Sequence, residues 1–140
     1  MKILLAVDGS EHTRRALAYL AAHDEWLGAR HAYTVVHAAT ALPHRAAAFH
    51  GLDVARSFYE DDAQVIFKPV RQFLGMHGIQ AKFVLRIGHP AKHIAALAKN
   101  GRFDLLIMGT HGHGAIAGLF MGSVATKVLS LCATPVLLIR

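Results

Sequence analysis

The residues best suited to chemistry are Gly109-Thr110-His111-Gly112 and, after nine intervening residues, Gly122-Ser123. Asp104-Leu105-Leu106-Ile107-Met108 precedes them, an apolar run too short for a helix of its own and typical of a parallel strand covered on both faces. Ser123 stands in front of Val124, Val128, Leu129 and Cys132, a helical spacing with an N-cap residue ahead of it. A glycine loop between a strand and a helix start gathers unpaired backbone N–H groups, and the partial positive charge of the helix end adds to them. An anion with several oxygens is the natural guest. Glycine suits such a loop because a Cβ would hold a phosphate off the backbone or forbid a positive φ. The charge pattern agrees: no Asp or Glu follows Asp104, whereas His111, His113 and Lys127 are present.

The plainer alternative is a glycine turn that only joins a strand to a helix. Two other phosphate motifs are excluded. No GxxxxGK[ST] occurs, and the loose GxGxx[GA] match at Gly112 to Ala117 follows a late strand and lacks the acid about twenty residues on that a dinucleotide fold needs.

At 140 residues and 54% apolar content the chain is expected to form one domain, residues 1–140, with a real core. No apolar run approaches the roughly 18 residues that span a bilayer. Ile3 to Val7 imitates the start of a signal peptide, but Asp8 ends it early and no cleavage site follows, so a cytoplasmic protein without a membrane partner is expected. Cys132 is the single cysteine, which rules out an internal disulfide, and its place on a helical apolar face predicts a buried, inert thiol. The formal charge of +6 suits an anionic ligand, yet the basic residues are scattered and no nucleic-acid motif is present. Eleven histidines raise the question of metal, with His111 and His113 in the loop and His89 and His93 at i,i+4. Zinc needs three or four supported ligands, and no CxxC or HExxH accompanies these, so no dedicated metal site is expected.

The elements that must position the loop follow in order. Ile3 to Val7 is a strand, Asp8-Gly9-Ser10 its turn, and Ser10 the cap of a helix from His12 to His23 with Ala16, Leu17 and Leu20 inward. Trp26 and Leu27 are expected to tuck beneath the next turn. His31 to His37 is a second strand, and Ala38 to Gly51 has no clear period. Leu52 to Leu74 reads as a long helix carrying Val54, Phe58, Val65, Ile66, Val70 and Phe73, kinked or split at Pro69. Ala81 to Ile87 alternates like an edge or near-edge strand. Gly88-His89-Pro90 opens a helix with Ile94, Leu97 and Ala98 inward, ended by Asn100-Gly101, and Val136 to Ile139 is the last strand. The resulting βαβαβαβαβ order, with right-handed crossovers, gives an α/β fold: a single-domain open five-stranded parallel sheet with helices on both faces.

In its motifs the chain resembles the universal stress proteins. The resemblance is carried by Val7-Asp8-Gly9-Ser10, His37, Gly88-His89-Pro90, and Met108-Gly109-Thr110-His111-Gly112 through Gly122-Ser123-Val124-Ala125. It implies a Rossmann-like sheet of order 3-2-1-4-5, of the adenine nucleotide alpha hydrolase-like kind, with an ATP site at the tips of strands one and four. By that resemblance the phosphates lie against backbone around Gly109, Gly112, Gly122 and Ser123, with Val124 and Ala125 at the helix start and His111 and His113 beside them. Ala6, Val7 and Asp8 run along the adenosine, with Asp8 bonding a polar edge, Ala38 borders the base, and Met108 belongs to the same site. Asp8 is also open to a plain role as the cap of its turn, and His37 to packing at a strand end.

The resemblance therefore implies an ATP-binding regulator of a stress response, with Mg²⁺ able to ride on the phosphates. No catalytic residue is assigned, because no second carboxylate, Walker lysine or nucleophile paired with a base accompanies Asp8. Slow ATP hydrolysis or adenylyl transfer through Asp8 and Mg²⁺, and a nucleotide-free interaction module, are the alternatives. A phosphoacceptor receiver is excluded, since no Asp follows the third strand and no Lys the fifth. The apolar strand Val136 to Ile139 would be a hazard as an open edge, so a homodimer pairing through it is expected.

Overall fold

The computed structural model describes residues 1–43, 51–114 and 120–140. Five strands, β1 (Lys2–Ala6), β2 (Ala32–Ala39), β3 (Ala81–Ile87), β4 (Leu105–Gly109) and β5 (Val136–Ile139), form one parallel sheet in the order β3-β2-β1-β4-β5. Leu4 at its centre pairs with Thr34 on one side and Leu106 on the other. Among the described residues the helices are α1 (Glu11–Ala22), a short α2 (Asp24–Leu27), α3 (Leu52–Met76), α4 (Pro90–Asn100) and α5 (Ser123–Leu131).

Alternation along the strands divides the core in two. Ile3, Leu5, Val35 and Ile107 face a layer that includes Leu17 and Leu20 of α1 and Phe67 and Val70 of α3. Leu4, Val36, Leu106 and Met108 face the other layer, with Ile94 and Ala98 of α4 and Ala125 and Val128 of α5. Helix cover on both faces is why β1 and β4 read as unbroken apolar runs. Each fully buried Leu or Ile contributes about 1.5–3 kcal/mol, so these central strands anchor the fold.

The five-strand order agrees with expectation, and β3 stands at an edge. The β1 and β4 boundaries shift by one residue, and β2 runs on to Ala39 because Ala38 and Ala39 still pair with Arg86 and Ile87. Leu27 is buried as expected, but Trp26 is 37% exposed on the added turn α2. Helix α3 is not split at Pro69. The proline ring and the preceding turn at Val65 are exposed, so the carbonyl that loses its partner lies on the wet side of the helix.

The buried stripe of α3 is Ala63, Phe67, Val70 and Leu74, flanked by half-buried Ile66 and Phe73. Val54, Phe58 and Val65 are outside, at 58%, 55% and 74% exposure. Apolar residues occupy more than one face of this helix, so periodicity alone cannot phase it; contact with the sheet does. The expected irregular stretch from Ala38 falls partly outside the described residues. Its described beginning is the end of β2.

Candidate functional site

Strands β1 and β4 are neighbours, yet β1 continues through α1 toward β2 while β4 continues through α5 toward β5. Their connections leave in opposite directions, and a crevice opens beyond the carboxyl ends of the two strands. It holds a cavity of about 290 Å³. All the residues assigned to a ligand from the sequence line it, from Ala6, Val7 and Asp8 through Ala38, Met108, Gly109, His111, Gly112 and His113 to Gly122, Ser123, Val124 and Ala125. Thr13, Pro90, Ile94, Thr110 and Gly114 complete the wall. Thr110 and Pro90 sit inside motifs already singled out. Thr13 and Ile94 carry no local signal, because only packing of α1 and α4 brings them there.

Asp8 closes its turn and also lines the cavity. Its Oδ1 accepts hydrogen bonds from the Ser10 N–H and the Thr13 hydroxyl, each at 2.9 Å, and the Thr13 oxygen accepts the Asp8 N–H at 3.0 Å. This closed turn starts α1. The other carboxylate oxygen faces the glycine loop, 2.5 Å from where a Cβ on Gly112 would stand. Ser10 holds the N-cap position of α1, but its hydroxyl makes no capping bond and is buried without a hydrogen-bond partner among the described residues.

Gly109 is required by the protein itself, and Gly112 and Gly122 are closely approached by it. None of Gly109, Gly112 and Gly122 has a positive φ. A Cβ at Gly109 would lie 2.5 Å from His12 Cβ, and one at Gly122 would lie 3.2 Å from the Thr110 carbonyl oxygen. The loop is drawn tight against α1 and against its own other end. Gly122 N–H donates to the Thr110 carbonyl at 2.8 Å, and Thr110 N–H donates to the Ile139 carbonyl at 2.9 Å. The Gly122 amide is therefore spent on the loop and is not part of an anion cradle, contrary to the sequence expectation.

Helix α5 begins one residue earlier than its sequence suggests. Gly122 is the N-cap and Ser123 the first helical residue, exposed and without a capping bond, so Ser123 is not the cap. The Thr126 N–H is the first to find an intrahelical acceptor, Gly122 O at 3.0 Å. The amides of Ser123, Val124 and Ala125 have none, which is the rule for the first turn of a helix, and all three residues line the cavity. Of the apolar residues expected on its buried face, Val128 is buried but Val124 and Leu129 are 37% and 41% exposed. Ala125 takes their place. Cys132 is the C-cap and only half-buried, because the helix ends before the apolar spacing does.

Two histidines tie the loop down. His113 Nε2–H donates to the Asp8 carbonyl at 2.6 Å, which fixes that tautomer and links the loop to the end of β1. His111 Nδ1 and the Thr110 hydroxyl lie 3.0 Å apart, and its ring sits 5.2 Å from that of His12. His37 is buried, donates Nδ1–H to the Val7 carbonyl at 2.9 Å and meets Phe67 edge-on. That is the packing role. Among the described lining residues Asp8 is the sole acid, and Lys and Arg are absent from the wall. No group of three His, Cys, Asp or Glu side chains among the described residues could hold a metal.

An apolar wall from β1, β2 and β4 thus faces a helix start whose first three amides have no acceptor among the described residues. Such a site can stack a flat, weakly polar group on one side and hold an anion on the other.

Comparison with known proteins gives the same architecture. The model of the universal stress protein family matches residues 1–140. A universal stress protein of Thermus aquaticus is 34% identical over 143 aligned residues, covering 99% of this chain and 97% of that one. The solved structure of MJ0577 from Methanocaldococcus jannaschii superposes with a TM-score of 0.83 at 22% identity, over 99% of this chain and 94% of that one. The universal stress protein of Archaeoglobus fulgidus, solved in complex with dAMP, gives 0.70 at 19% identity, over 100% of this chain and 98% of that one. The two structures share the fold with this chain at identities too low to carry more. The family match over the full length and the Thermus relative settle the assignment: this chain belongs to the universal stress protein family.

Proposed function

We propose that the cavity between β1, β4 and α5 binds an adenine nucleotide, with ATP as the working ligand and Mg²⁺ carried on its phosphates. The observation that carries this reading is the set of three amides without an acceptor among the described residues, those of Ser123, Val124 and Ala125, which line a cavity whose other wall is Ala6, Val7, Ala38 and Met108. The phosphates would lie at the helix start, where N–H groups and helix dipole act together. The base would lie against the apolar strand ends near Ala38. That the Archaeoglobus relative was solved with dAMP supports an adenine nucleotide as the class.

The chain then acts as a nucleotide-dependent regulator in a stress response, working in the cytoplasm, and not as a dedicated catalyst. One oxygen of Asp8 is already committed to Ser10 and Thr13, which leaves its carboxylate a positioning group. The active form is a homodimer joined through β5. This strand is an edge of the sheet, and Val136, Leu137 and Leu138 are only half-buried on it. No helix among the described residues is long and apolar enough to cross a membrane.

Isothermal titration of the purified chain with ATP, adenosine and tripolyphosphate tests the binding. ATP is expected to bind more tightly than either fragment, because each fragment fills one end only. Absence of saturable heat, or an affinity for ATP no better than about millimolar, overturns the reading. Light scattering at micromolar chain concentration tests the dimer, and a monomer mass counts against it.

A further inference from the structure

Helix α3 carries apolar side chains on the side turned away from the protein. Its buried stripe is Ala63, Phe67, Val70 and Leu74. At about 3.6 residues per turn, Val54, Phe58, Val65, Pro69 and Met76 fall on a single line diametrically opposite that stripe. All five are exposed, Val65 and Met76 to 74% and 77%. Single exposed apolar side chains are ordinary, but a line of them running about 33 Å along one helix is a surface that water covers at a cost.

Charge on this helix is divided by position. The first half holds Asp53, Glu60, Asp61 and Asp62 against Arg56, whereas the second half holds Lys68 and Arg71 and no acid. Arg56 is paired with Glu60 at 3.1 Å, and Arg71 lies over the Phe83 ring. Asp61 and Lys68, seven positions apart, stand exposed on the same flank of the apolar line, and neither forms an ion pair among the described residues. A helix with one acidic and one basic half complements itself only when reversed. An antiparallel copy, related by a twofold axis at Val65, sets Val65 against Val65, Val54 against Met76, and Asp61 beside Lys68 twice over. A parallel copy would set Asp61 against Asp61 and Lys68 against Lys68.

We propose that the outward face of α3 is a self-association surface, on which a second copy of this chain docks with its own α3 antiparallel about a twofold axis at Val65. Helix α3 packs on β2 and β3, so this surface is remote from the β5 edge and independent of the nucleotide cavity. A strip one helix wide falls short of the roughly 1,200–2,000 Å² of stable interfaces, which makes the association weak. It forms with a Kd on the order of 0.1 mM and is largely dissociated at the micromolar concentrations that report on β5.

Sedimentation of the whole chain between about 10 μM and 1 mM reads it. The mass should rise toward at least twice its low-concentration value, and Val65→Glu should hold it flat without altering the melting temperature at micromolar chain. Asp61→Lys and Lys68→Asp should each weaken association about tenfold, since both symmetric pairs turn repulsive, and the double reversal should restore it. Val65→Cys, placed on the axis, should cross-link to itself under mild oxidation far faster than Gln64→Cys, which is exposed but off the line. The unsubstituted chain controls for Cys132. A flat mass for the unsubstituted chain, association that survives Val65→Glu, a double reversal no better than the single ones, or equal cross-linking at the two positions would each overturn the proposal. ATP titration of the same sample reads the cavity separately, so the two assignments fail independently.

Discussion

Gly109→Ala should destabilise the protein even when no nucleotide is present. A Cβ built there stands 2.5 Å from His12 Cβ and 3.2 Å from the His111 carbonyl oxygen. Carbon atoms in contact prefer about 3.5–4.0 Å, so roughly 1 Å of relief is needed. The obstructing atom is the root of a side chain on α1, which cannot swing away without moving the helix from β4. Overpacking of this kind costs about 1–3 kcal/mol. For a chain of 140 residues that corresponds to a fall in melting temperature of roughly 3–15 °C. Gly114→Ala in the same loop is the control. Its added Cβ meets nothing within 4 Å among the described residues and its φ is not positive, so a change within about 0.5 kcal/mol, or a slight gain, is expected. Gly122→Ala should fall between the two, since its nearest contacts at 3.2 and 3.3 Å need only a few tenths of an ångström. Thermal melts of the three ligand-free variants decide the matter. If Gly109→Ala and Gly114→Ala melt alike and differ only in ATP affinity, Gly109 is there for the ligand and the packing argument fails.

Other outcomes follow from the same contacts. Asp8→Ala leaves the Ser10 amide and the Thr13 hydroxyl without their acceptor and should cost about 2–4 kcal/mol in urea unfolding at constant m, whereas Asp8→Asn retains an acceptor and should cost about 1 kcal/mol. Ser123→Ala removes no capping bond, so the melting temperature should stay within the equivalent of about 0.5 kcal/mol, while ATP affinity falls roughly two- to tenfold if the hydroxyl touches phosphate. On α3, Phe67→Ala should cost about 3–5 kcal/mol, but Val65→Lys should be neutral to within about 0.5 kcal/mol; equal losses would contradict the observed helix face. Burial pushes the Tyr33 phenol from its ordinary 10.0 up to about 12, with its hydroxyl donating to the Leu27 carbonyl. The folded chain thus keeps a proton that the unfolded chain releases. Stability present below about pH 10 should fall as pH rises toward about 12, and Tyr33→Phe should lose that slope in unfolding titrations.

The parallel sheet was legible because each central strand is a short apolar run closed by a turn, whereas its order came from the resemblance to the universal stress proteins, since apolar runs mark β1 and β4 as interior strands without saying which strands flank them. Residues lining the cavity were legible too, since Asp8, Gly109 and Ser123 stand where strands end and a helix begins, and the motif spacing marks those points. What the glycines do was not legible. A sequence records that a Cβ is missing at Gly109, Gly112 and Gly122, but whether a ligand or the protein fills the vacated volume depends on where α1 and Asp8 come to rest. The same holds for the Gly122 amide, which is lost to the Thr110 carbonyl only once the loop closes on itself.

Local pattern, then, fixed the kinds of element and where each strand ends, because periodicity and turn chemistry act within a few residues. Tertiary packing decided which face of α3 is buried, brought Thr13 and Ile94 to the cavity wall, and set His37 Nδ1 against the Val7 carbonyl. Those outcomes depend on contacts between residues tens of positions apart, and short-range pattern carries no term for them.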